Sequence, residues 1–409
     1  MATEAAGRAV IRLREYQTLF GVPLSVDQAE ALRRAFKDER LRIERTWSSS
    51  GYDLTAGAYV GTIALRDAAG GLLDIVIEPK VPIDNLFFML TYAHRLVEFG
   101  ADASPLLAGA DIFDSVVDIF VRQVDDIARR GIHRGYIDRE EDAAFLRGRL
   151  LVAPQVRRGP VAVTFHQRTN EFTADLLENR ILSAALWRLA QARFRDPNLG
   201  PRVRRALAAF GEASPVGITA AHCDRVVYSR LTERYRSPIN LARLFLRHLS
   251  LEGQAGETPF TSFLVPMPRL FEQFVARLLA EELSAWPRLR LEDQWQIYLD
   301  EERRLQGRPD LLLYRDGRAA LVLDTKYKVY NEKPTNADIN QMVTYCHTLG
   351  IGRGVLLYPG DTADDAPGDE YQMKAGVTLT IRGLSLTGPL AAFRARARAF
   401  AQRLAASYS

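Results

Sequence analysis

The sequence predicts a multidomain α+β protein, with a β-rich region at residues 1–100, a mainly helical region at 101–255 and a mixed α/β domain at 256–409. Three observations support this fold class. Short apolar runs bounded by turn residues, which are typical of strands, occur early in the chain. Apolar residues then recur every three or four positions, as on amphipathic helices. In the last third, strand-like and helix-like segments alternate.

Composition limits the class of protein. A chain of 409 residues has room for two or three domains, and 47% hydrophobic with 25% charged residues is typical of globular proteins. No apolar run is long enough to span a membrane, and the N-terminus has no signal-peptide core, so we expect a cytoplasmic protein without membrane contact. Two cysteines exclude a disulfide framework. The net charge of +4 permits a nucleic-acid partner.

The β-rich region contains one predicted helix and one predicted hairpin. The helix is Val26–Lys37, because Ser25 suits the N-cap and Gln28 completes a capping box. The hairpin joins two apolar runs across a turn at 67–71, and its strands are Tyr59–Leu65 and Leu72–Ile77.

Helical periodicity dominates the next region. Helices are predicted around Phe113–Ile127 and at Asp175–Ala192, Arg202–Phe210 and Pro238–Leu249. The polar, glycine-containing segment Ser250–Pro259 is the best candidate for a domain boundary.

The last third predicts a domain with the core order α-β-β-β-α-β. Its elements, followed by a final helix, are Arg269–Leu283, Gln294–Leu299, Leu311–Tyr314, Ala320–Lys328, Ala337–Leu349, Gly354–Tyr358, Gly376–Ile381 and Pro389–Ala406.

Chemically informative residues occur in two of these strands. Asp310 opens the first strand, and Asp324 and Lys326 lie in the next. Residues two apart on a strand share a face, so Asp324 and Lys326 point the same way. A hairpin that turns at Asp316–Gly317 would bring Asp310 close to Asp324. The pattern therefore predicts two carboxylates and an ammonium group at one end of a sheet.

This grouping suits phosphodiester hydrolysis. A divalent cation relieves the repulsion between two carboxylates, and oxygen ligands favour Mg²⁺. The ion would activate a water molecule, and the lysine would orient that water, help to deprotonate it or neutralise the charge developing on phosphate. The alternative is an ordinary Asp–Lys pair on a surface hairpin. The apolar strand, the preceding Pro-Asp and the order of the flanking helices favour a site.

With these residues the chain resembles a known family. Arg308-Pro309-Asp310 followed by Asp324-Thr325-Lys326 is similar to the PD-(D/E)xK nuclease motif. The order of further blocks along the chain resembles McrC, the nuclease subunit of McrBC-type modification-dependent restriction systems, which act in antiviral defence. These blocks are YVGTIAL, IEPK and FMLTYA within 59–93, FLRGRL at 145–150, EFTADLLENRIL at 171–182 and LFEQFV at 270–275.

The resemblance implies specific roles. It makes Asp310 and Asp324 metal-binding carboxylates, Lys326 the catalytic lysine, Glu272 an additional acidic residue that binds metal, and Gln341 a further active-site residue. It also implies a PD-(D/E)xK domain with a central mixed sheet at 256–409 and Mg²⁺ as cofactor. The implied partners are an McrB-like AAA+ GTPase ring, which docks on the N-terminal part of the chain, and double-stranded DNA that carries modified, methylated bases.

The sequence leaves two alternatives to a nuclease subunit open. One is a non-cleaving activator or scaffold of an AAA+ NTPase, which the intact Asp-Asp-Lys set disfavours. The other is a stand-alone DNA repair nuclease. The sequence contains no Gly-Lys pair and therefore no P-loop, so we expect any nucleotide-driven movement to come from another polypeptide.

Overall fold

The computed structural model describes residues 3–5, 8–36, 40–47, 51–66, 72–80, 86–93, 112–159, 163–252, 260–293, 295–328, 334–360 and 369–408. Contacts divide the chain into one unit formed by Met1–Ile112 with Glu252–Ser409 and a second formed by Phe113–Leu251. The predicted regions 1–100 and 256–409 thus lie in the same unit, and their division into separate domains stays a prediction. The predicted turn at 67–71 and residues 253–259 of the predicted boundary lie outside the described residues.

The first part of unit 1 is rich in strands, as predicted. Its elements are β1 (Thr3–Ala5), β2 (Arg8–Arg14), β3 (Thr18–Val22), α1 (Val26–Ala35), β4 (Leu41–Arg45), β5 (Tyr52–Ala56), β6 (Tyr59–Arg66), β7 (Leu72–Glu78) and α2 (Leu86–Ala93). The predicted capping box of α1 is present, because Ser25 Oγ accepts a bond from the Gln28 amide and the Gln28 side chain accepts one from the Ser25 amide.

Unit 2 contains the predicted helices and also a sheet that the sequence did not predict. Its elements are α3 (Ile112–Arg130), β8 (Gly135–Ala143), β9 (Arg149–Leu150), α4 (Val152–Arg157), β10 (Phe165–Thr173), α5 (Leu177–Gln191), α6 (Leu199–Ala209) and α7 (Arg236–His248). β8 and β10 pair antiparallel over nine positions. Their exposed, charged side chains lack apolar alternation. Opposite charges face each other across the pair instead, as where Arg168 and Glu140 approach to 2.6 Å.

The remaining elements follow in order. They are β11 (Leu249–Glu252), β12 (Phe260–Pro266), α8 (Met267–Leu283), β13 (Leu289–Asp293), β14 (Ile297–Tyr298), β15 (Gln306–Gly307), β16 (Leu311–Arg315), β17 (Arg318–Thr325), α9 (Asn336–Leu349), β18 (Arg353–Pro359), β19 (Asp369–Gln372), β20 (Thr378–Leu384) and α10 (Leu390–Tyr408).

Strands from two distant parts of the chain build the first sheet of unit 1. Within unit 1 the strand order is β1-β2-β7-β6-β12. β6 and β7 form the predicted antiparallel hairpin, β2 runs parallel to β7, and β12 pairs antiparallel with β6. Gly61 makes the last pairing possible, because a Cβ atom there would lie 1.9 Å from the Phe263 carbonyl oxygen.

A mixed six-stranded sheet forms the centre of the C-terminal part, in the order β13-β16-β17-β18-β20-β19. β17, β18 and β20 run parallel, and α9 connects the first two of them. Val322 of β17 packs with Met342 and Cys346 of α9 in one apolar cluster. The predicted mixed α+β, multidomain fold class is therefore confirmed. In the described part of the chain, no helix is both long and apolar enough to cross a membrane.

Candidate active site

The hairpin of β16 and β17 brings the two halves of the predicted Asp-Asp-Lys pattern together. Its turn, Asp316–Gly317, has φ angles of +49° and +78°, the left-handed conformations that a tight type I′ turn requires. The ladder ends at the pair Leu311 and Leu323. Asp310 and Asp324 are the next residues on the two strands, so the predicted juxtaposition follows from the register.

Asp310 is held by the opposite strand. Its Oδ2 atom accepts hydrogen bonds from the Thr325 amide and the Thr325 hydroxyl, both at 2.7 Å. These bonds fix the orientation of the carboxylate and leave its Oδ1 atom for another contact.

Asp324 is a buried carboxylate with only 2% exposure. Burial is the largest cause that raises its pKa to about 6, and the charge of Asp310 raises it further, while Lys326 opposes both effects. The Nζ atom of Lys326 lies 2.6 Å from Oδ2 of Asp324. A negative charge at Asp324 is thus costly unless additional positive charge arrives.

Lys326 is oriented by α9. Its Nζ atom donates a hydrogen bond of 2.9 Å to Oε1 of Gln341. Burial lowers the pKa of Lys326, but the neighbouring carboxylates, first of all Asp324, outweigh that effect and the pKa is raised. Lys326 therefore carries a full positive charge in this state, as electrostatic stabilisation of a phosphate requires.

A second layer of contacts holds Gln341. Its Nε2 atom donates to the Tyr345 hydroxyl at 2.8 Å, and the same hydroxyl accepts a 3.3 Å bond from the Arg308 amide. The Tyr345 ring approaches the chain closely at Gly307, where a Cβ atom would lie 2.8 Å from Cε1 of the ring. Gln341 and the Arg308-Pro309-Asp310 segment are therefore positioned by one buried tyrosine.

Lys328 lies three residues beyond the end of β17 and is ion-paired. Its Nζ atom contacts both carboxylate oxygens of Asp338, at 2.9 and 3.2 Å. Asp338 belongs to the N-terminal capping box of α9. Burial favours the protonated form of Asp338, yet its contacts with Lys328 and Thr335 lower the pKa overall. This pair anchors the start of α9 beside the end of β17.

An open cavity of about 440 Å³ lies beside these residues. Its lining residues are Pro268, Arg269, Glu272, Arg308, Pro309, Asp310 and Thr325. The cavity thus joins Asp310 and Glu272, two of the predicted acidic residues, and places two arginines next to them. Asp324, Lys326 and Gln341 are not among its lining residues. Asp324 and Lys326 follow Asp310 along the hairpin, and Gln341 contacts Lys326 from α9.

The carboxylates fit a magnesium ion bound through two protein ligands. Although Nζ of Lys326 is 2.6 Å away, Oδ2 of Asp324 accepts no hydrogen bond of good geometry. Within the described ranges, no group of three or more His, Cys, Asp or Glu side chains converges to hold a metal ion. Mg²⁺ keeps several water ligands and is commonly held by one or two carboxylates with substrate phosphate, so Asp310 and Asp324 meet its needs.

Comparison with known proteins identifies the family. A family model described as "McrBC 5-methylcytosine restriction system component" matches residues 54–359. The chain belongs to this family. The predicted McrC-like relationship is thereby confirmed at the level of the McrBC family, and the match includes the Asp310, Asp324 and Lys326 positions.

A curated relative and a solved structure are also similar to this chain. The "Type IV methyl-directed restriction enzyme EcoKMcrBC" of Escherichia coli (strain K12) is 24% identical over 313 residues, which cover 70% of this chain and 88% of the relative. A chain in the structure of Thermococcus gammatolerans McrB AAA+ hexamers with bound McrC is 21% identical, with a TM-score of 0.59. That match covers 97% of this chain and all of the other, and it shows a shared fold.

The structure also shows residues of the site that the sequence reasoning missed. Strand alternation predicts that Thr325 points away from Asp324 and gives it no role in the site. In the structure its amide and hydroxyl both bind Asp310. Gly307 and Asp338 were not singled out. The signal for Asp338 was available, since Thr335 and Asp338 have the spacing of a capping box before a helix.

Proposed function

We propose that this chain is the Mg²⁺-dependent DNA endonuclease subunit of a McrBC-type restriction complex. In this proposal its C-terminal part is a PD-(D/E)xK nuclease domain that cleaves methylated DNA together with an AAA+ GTPase partner, whose hydrolysis it stimulates. The observation that carries the proposal is the meeting of Asp310 and Asp324 across the end of one hairpin, with Lys326 in contact with Asp324.

The residues have distinct roles in this proposal. Asp310 and Asp324 would hold Mg²⁺, which when bound lowers the pKa of a coordinated water and adds positive charge beside the scissile phosphate. Lys326 keeps its ammonium group 2.6 Å from Asp324, where it orients the attacking water or neutralises charge developing on phosphate. Gln341 limits the rotamers of Lys326 through their 2.9 Å hydrogen bond.

The cavity supplies a place for the DNA backbone. Arg269 and Arg308 line it together with Asp310 and Glu272. Guanidinium groups bind phosphate oxygens through paired hydrogen bonds, so these arginines suit the phosphates next to the scissile bond. Glu272 lines the same cavity and is the proposed additional acidic residue, although it does not converge with Asp310 and Asp324 into a group of three ligands.

A separate motor protein completes the proposed complex. The sequence has no Gly-Lys pair and hence no phosphate-binding loop of its own. The structurally similar chain comes from an assembly of McrB AAA+ hexamers with bound McrC, and the Escherichia coli relative is a methyl-directed restriction enzyme. By this likeness, residues before about 250 would dock on an AAA+ ring, and the ring would recognise the modified base.

Reconstitution with the AAA+ partner tests the proposal. Methylated DNA, Mg²⁺ and GTP or ATP are added to the complex, and both DNA cleavage and nucleotide hydrolysis are measured. We expect cleavage by the wild-type chain. Asp310→Asn, Asp324→Asn and Lys326→Met should each reduce it about a hundredfold or more, while they leave the stimulation of hydrolysis intact.

Matched exposed residues provide the controls. Asp316→Asn and Lys374→Met change the same residue types away from the site and should cleave at the wild-type rate. Normal cleavage by Asp324→Asn would refute the assigned site. A wild-type chain that stimulates hydrolysis without cutting would instead be the non-cleaving activator, and efficient cutting by the isolated chain would identify a stand-alone nuclease.

A further inference from the structure

A polar cluster joins the ends of β2 and β7, in the N-terminal sheet of unit 1, to Tyr327, the residue after Lys326. We call Glu15, Tyr16, Lys80 and Tyr327 the Lys80 cluster. β2 and β7 run parallel, with Arg14 opposite Glu78, so the C-terminal ends of the two strands lie side by side. Glu15 follows β2 directly and Lys80 follows β7 after Pro79. The topology therefore delivers a carboxylate and an ammonium group to one point.

Lys80 binds the backbone just beyond the end of β17. Its Nζ atom donates a 3.0 Å hydrogen bond to the carbonyl oxygen of Tyr327. The same ammonium group lies 4.4 Å from the centre of the Tyr327 ring and 4.7 Å from that of Tyr16. The bond joins residues 247 positions apart in the sequence.

Glu15 completes the cluster from the other side. Its Oε2 atom accepts hydrogen bonds of 2.9 Å from both the Tyr327 hydroxyl and the Lys80 amide. Glu15 is 5% and Tyr327 4% exposed, and burial raises the pKa of each. Tyr16 adopts φ +63°, a left-handed conformation that aromatic residues rarely take, and this conformation brings its ring to Lys80. Apolar residues of similar volume would fill this space without buried charge, so stability alone does not explain the cluster.

The cluster connects to both sides of the candidate active site. Tyr327 follows Lys326, whose amide donates a 2.8 Å bond to the Leu357 carbonyl of β18. The backbone around Lys326 is thus held by the sheet on one side and by Lys80 on the other. The Tyr327 ring also packs 6.1 Å from that of Phe271, the neighbour of Glu272 on α8.

We propose that Lys80 and Glu15 are positioning residues for Lys326: they fix the Tyr327 backbone and side chain and thereby set the place of the Lys326 ammonium group. This inference rests on the proposed nuclease function for its catalytic consequence. It gives the N-terminal sheet, which belongs to the region expected to dock on the partner, a direct connection to the site.

The test compares Lys80→Met with Lys374→Met in the full chain bound to its AAA+ partner. Methionine keeps most of the apolar stem of Lys80 and removes the charge and the donor, and Lys374 is an exposed lysine in a turn. We expect Lys80→Met to lower the single-turnover cleavage rate at saturating Mg²⁺ and DNA by about tenfold to a hundredfold. The DNA concentration for half-maximal rate and the stimulation of nucleotide hydrolysis should stay unchanged.

Hydrogen exchange provides a measurement that does not depend on activity. Peptides that cover residues 324–328 should exchange faster in Lys80→Met than in wild type or Lys374→Met, whereas peptides from α9 should not change. Tyr327→Phe keeps the ring and removes only the hydroxyl bonded to Glu15. This variant should also show faster exchange at 324–328, but by a smaller factor. It replaces Lys80→Met in the test if that variant fails to fold.

The outcomes separate the two proposals. Wild-type exchange at 324–328 in both Lys80→Met and Tyr327→Phe overturns the positioning role, as does an unchanged cleavage rate in Lys80→Met. If the wild-type complex does not cut DNA, the nuclease proposal fails, and exchange alone decides whether Lys80 positions the Lys326 segment.

Discussion

Replacing Asp324 with asparagine removes a buried charge that the fold disfavours. Burial and the charge of Asp310 raise the pKa of Asp324 from the ordinary 3.8 to about 6, in spite of the nearby Lys326 ammonium. At neutral pH this difference corresponds to at most about 3 kcal/mol of lost stability. The asparagine side chain would keep the shape of the aspartate and an oxygen acceptor for Lys326 without the charge. Asp324→Asn should therefore stabilise the protein while it abolishes cleavage.

The sign of the pH dependence follows from the raised pKa. The folded protein binds the Asp324 proton more tightly than the unfolded chain does. This contribution to stability is fully present below about pH 4 and is lost as the pH rises through about 6. The stabilisation by Asp324→Asn should accordingly be largest at about pH 7.5 and should vanish near pH 4.

Urea unfolding of wild type and Asp324→Asn at these two pH values measures the difference. Asp316→Asn is the matched control, because the exposed Asp316 pairs with Arg288, which lowers its pKa. It should give no stabilisation at either pH. A variant Asp324→Asn that is less stable than wild type at about pH 7.5, or equally stabilised at both pH values, would refute the reasoning.

Three further substitutions test the fold and the site. Gly61→Ala should cost about 3 kcal/mol or more in urea unfolding, because its Cβ would lie 1.9 Å from the Phe263 oxygen at φ +145°. Phe274→Ala should cost about 3–5 kcal/mol in the same assay, since the fully buried ring stacks on Phe393. Gln341→Ala should slow DNA cleavage about tenfold, because it removes the hydrogen-bond acceptor that orients the Lys326 ammonium group.

Each of these variants has a control in the chain. Gly352→Ala meets no atom within 4 Å and should be nearly neutral, as should Phe20→Ala at a side chain that is 77% exposed. Asn340→Ala changes an exposed neighbour of Gln341 on the same helix and should cleave normally. A Gly61→Ala protein as stable as Gly352→Ala would contradict the close strand approach. Equal cleavage by the Gln341 and Asn340 variants would remove the role of Gln341.

Local signals made much of the fold predictable. The capping box at Ser25 and Gln28 marks the start of α1, and apolar periodicity marks α3, α5, α7 and α8. Two features escaped prediction for physical reasons. β8 and β10 carry exposed charges that face each other across the two strands and show no apolar alternation. The pairing of β12 with β6 joins residues about two hundred positions apart, a distance at which sequence periodicity gives no information.

The site was predictable to the extent that one hairpin builds it. The Asp316–Gly317 turn was sufficient to place Asp310 beside Asp324, and the structure has this register. β17 ends at Thr325, before the predicted end of the strand, and Lys326 still contacts Asp324. Contacts between distant segments were not predictable. The sequence around Lys80 indicates only the end of a hairpin, and the bond from Lys80 to the Tyr327 carbonyl depends on the three-dimensional meeting of two sheets.

The proposed metal site can be tested directly in a crystal soaked with Mn²⁺, which takes the oxygen ligands that Mg²⁺ prefers. An anomalous difference map is measured for wild type and for Asp324→Asn. The proposal predicts a peak within ligand distance of the Asp310 and Asp324 carboxylates in wild type and its loss in the variant. A well-ordered wild-type site without a peak, or a peak that persists unchanged in Asp324→Asn, would contradict it.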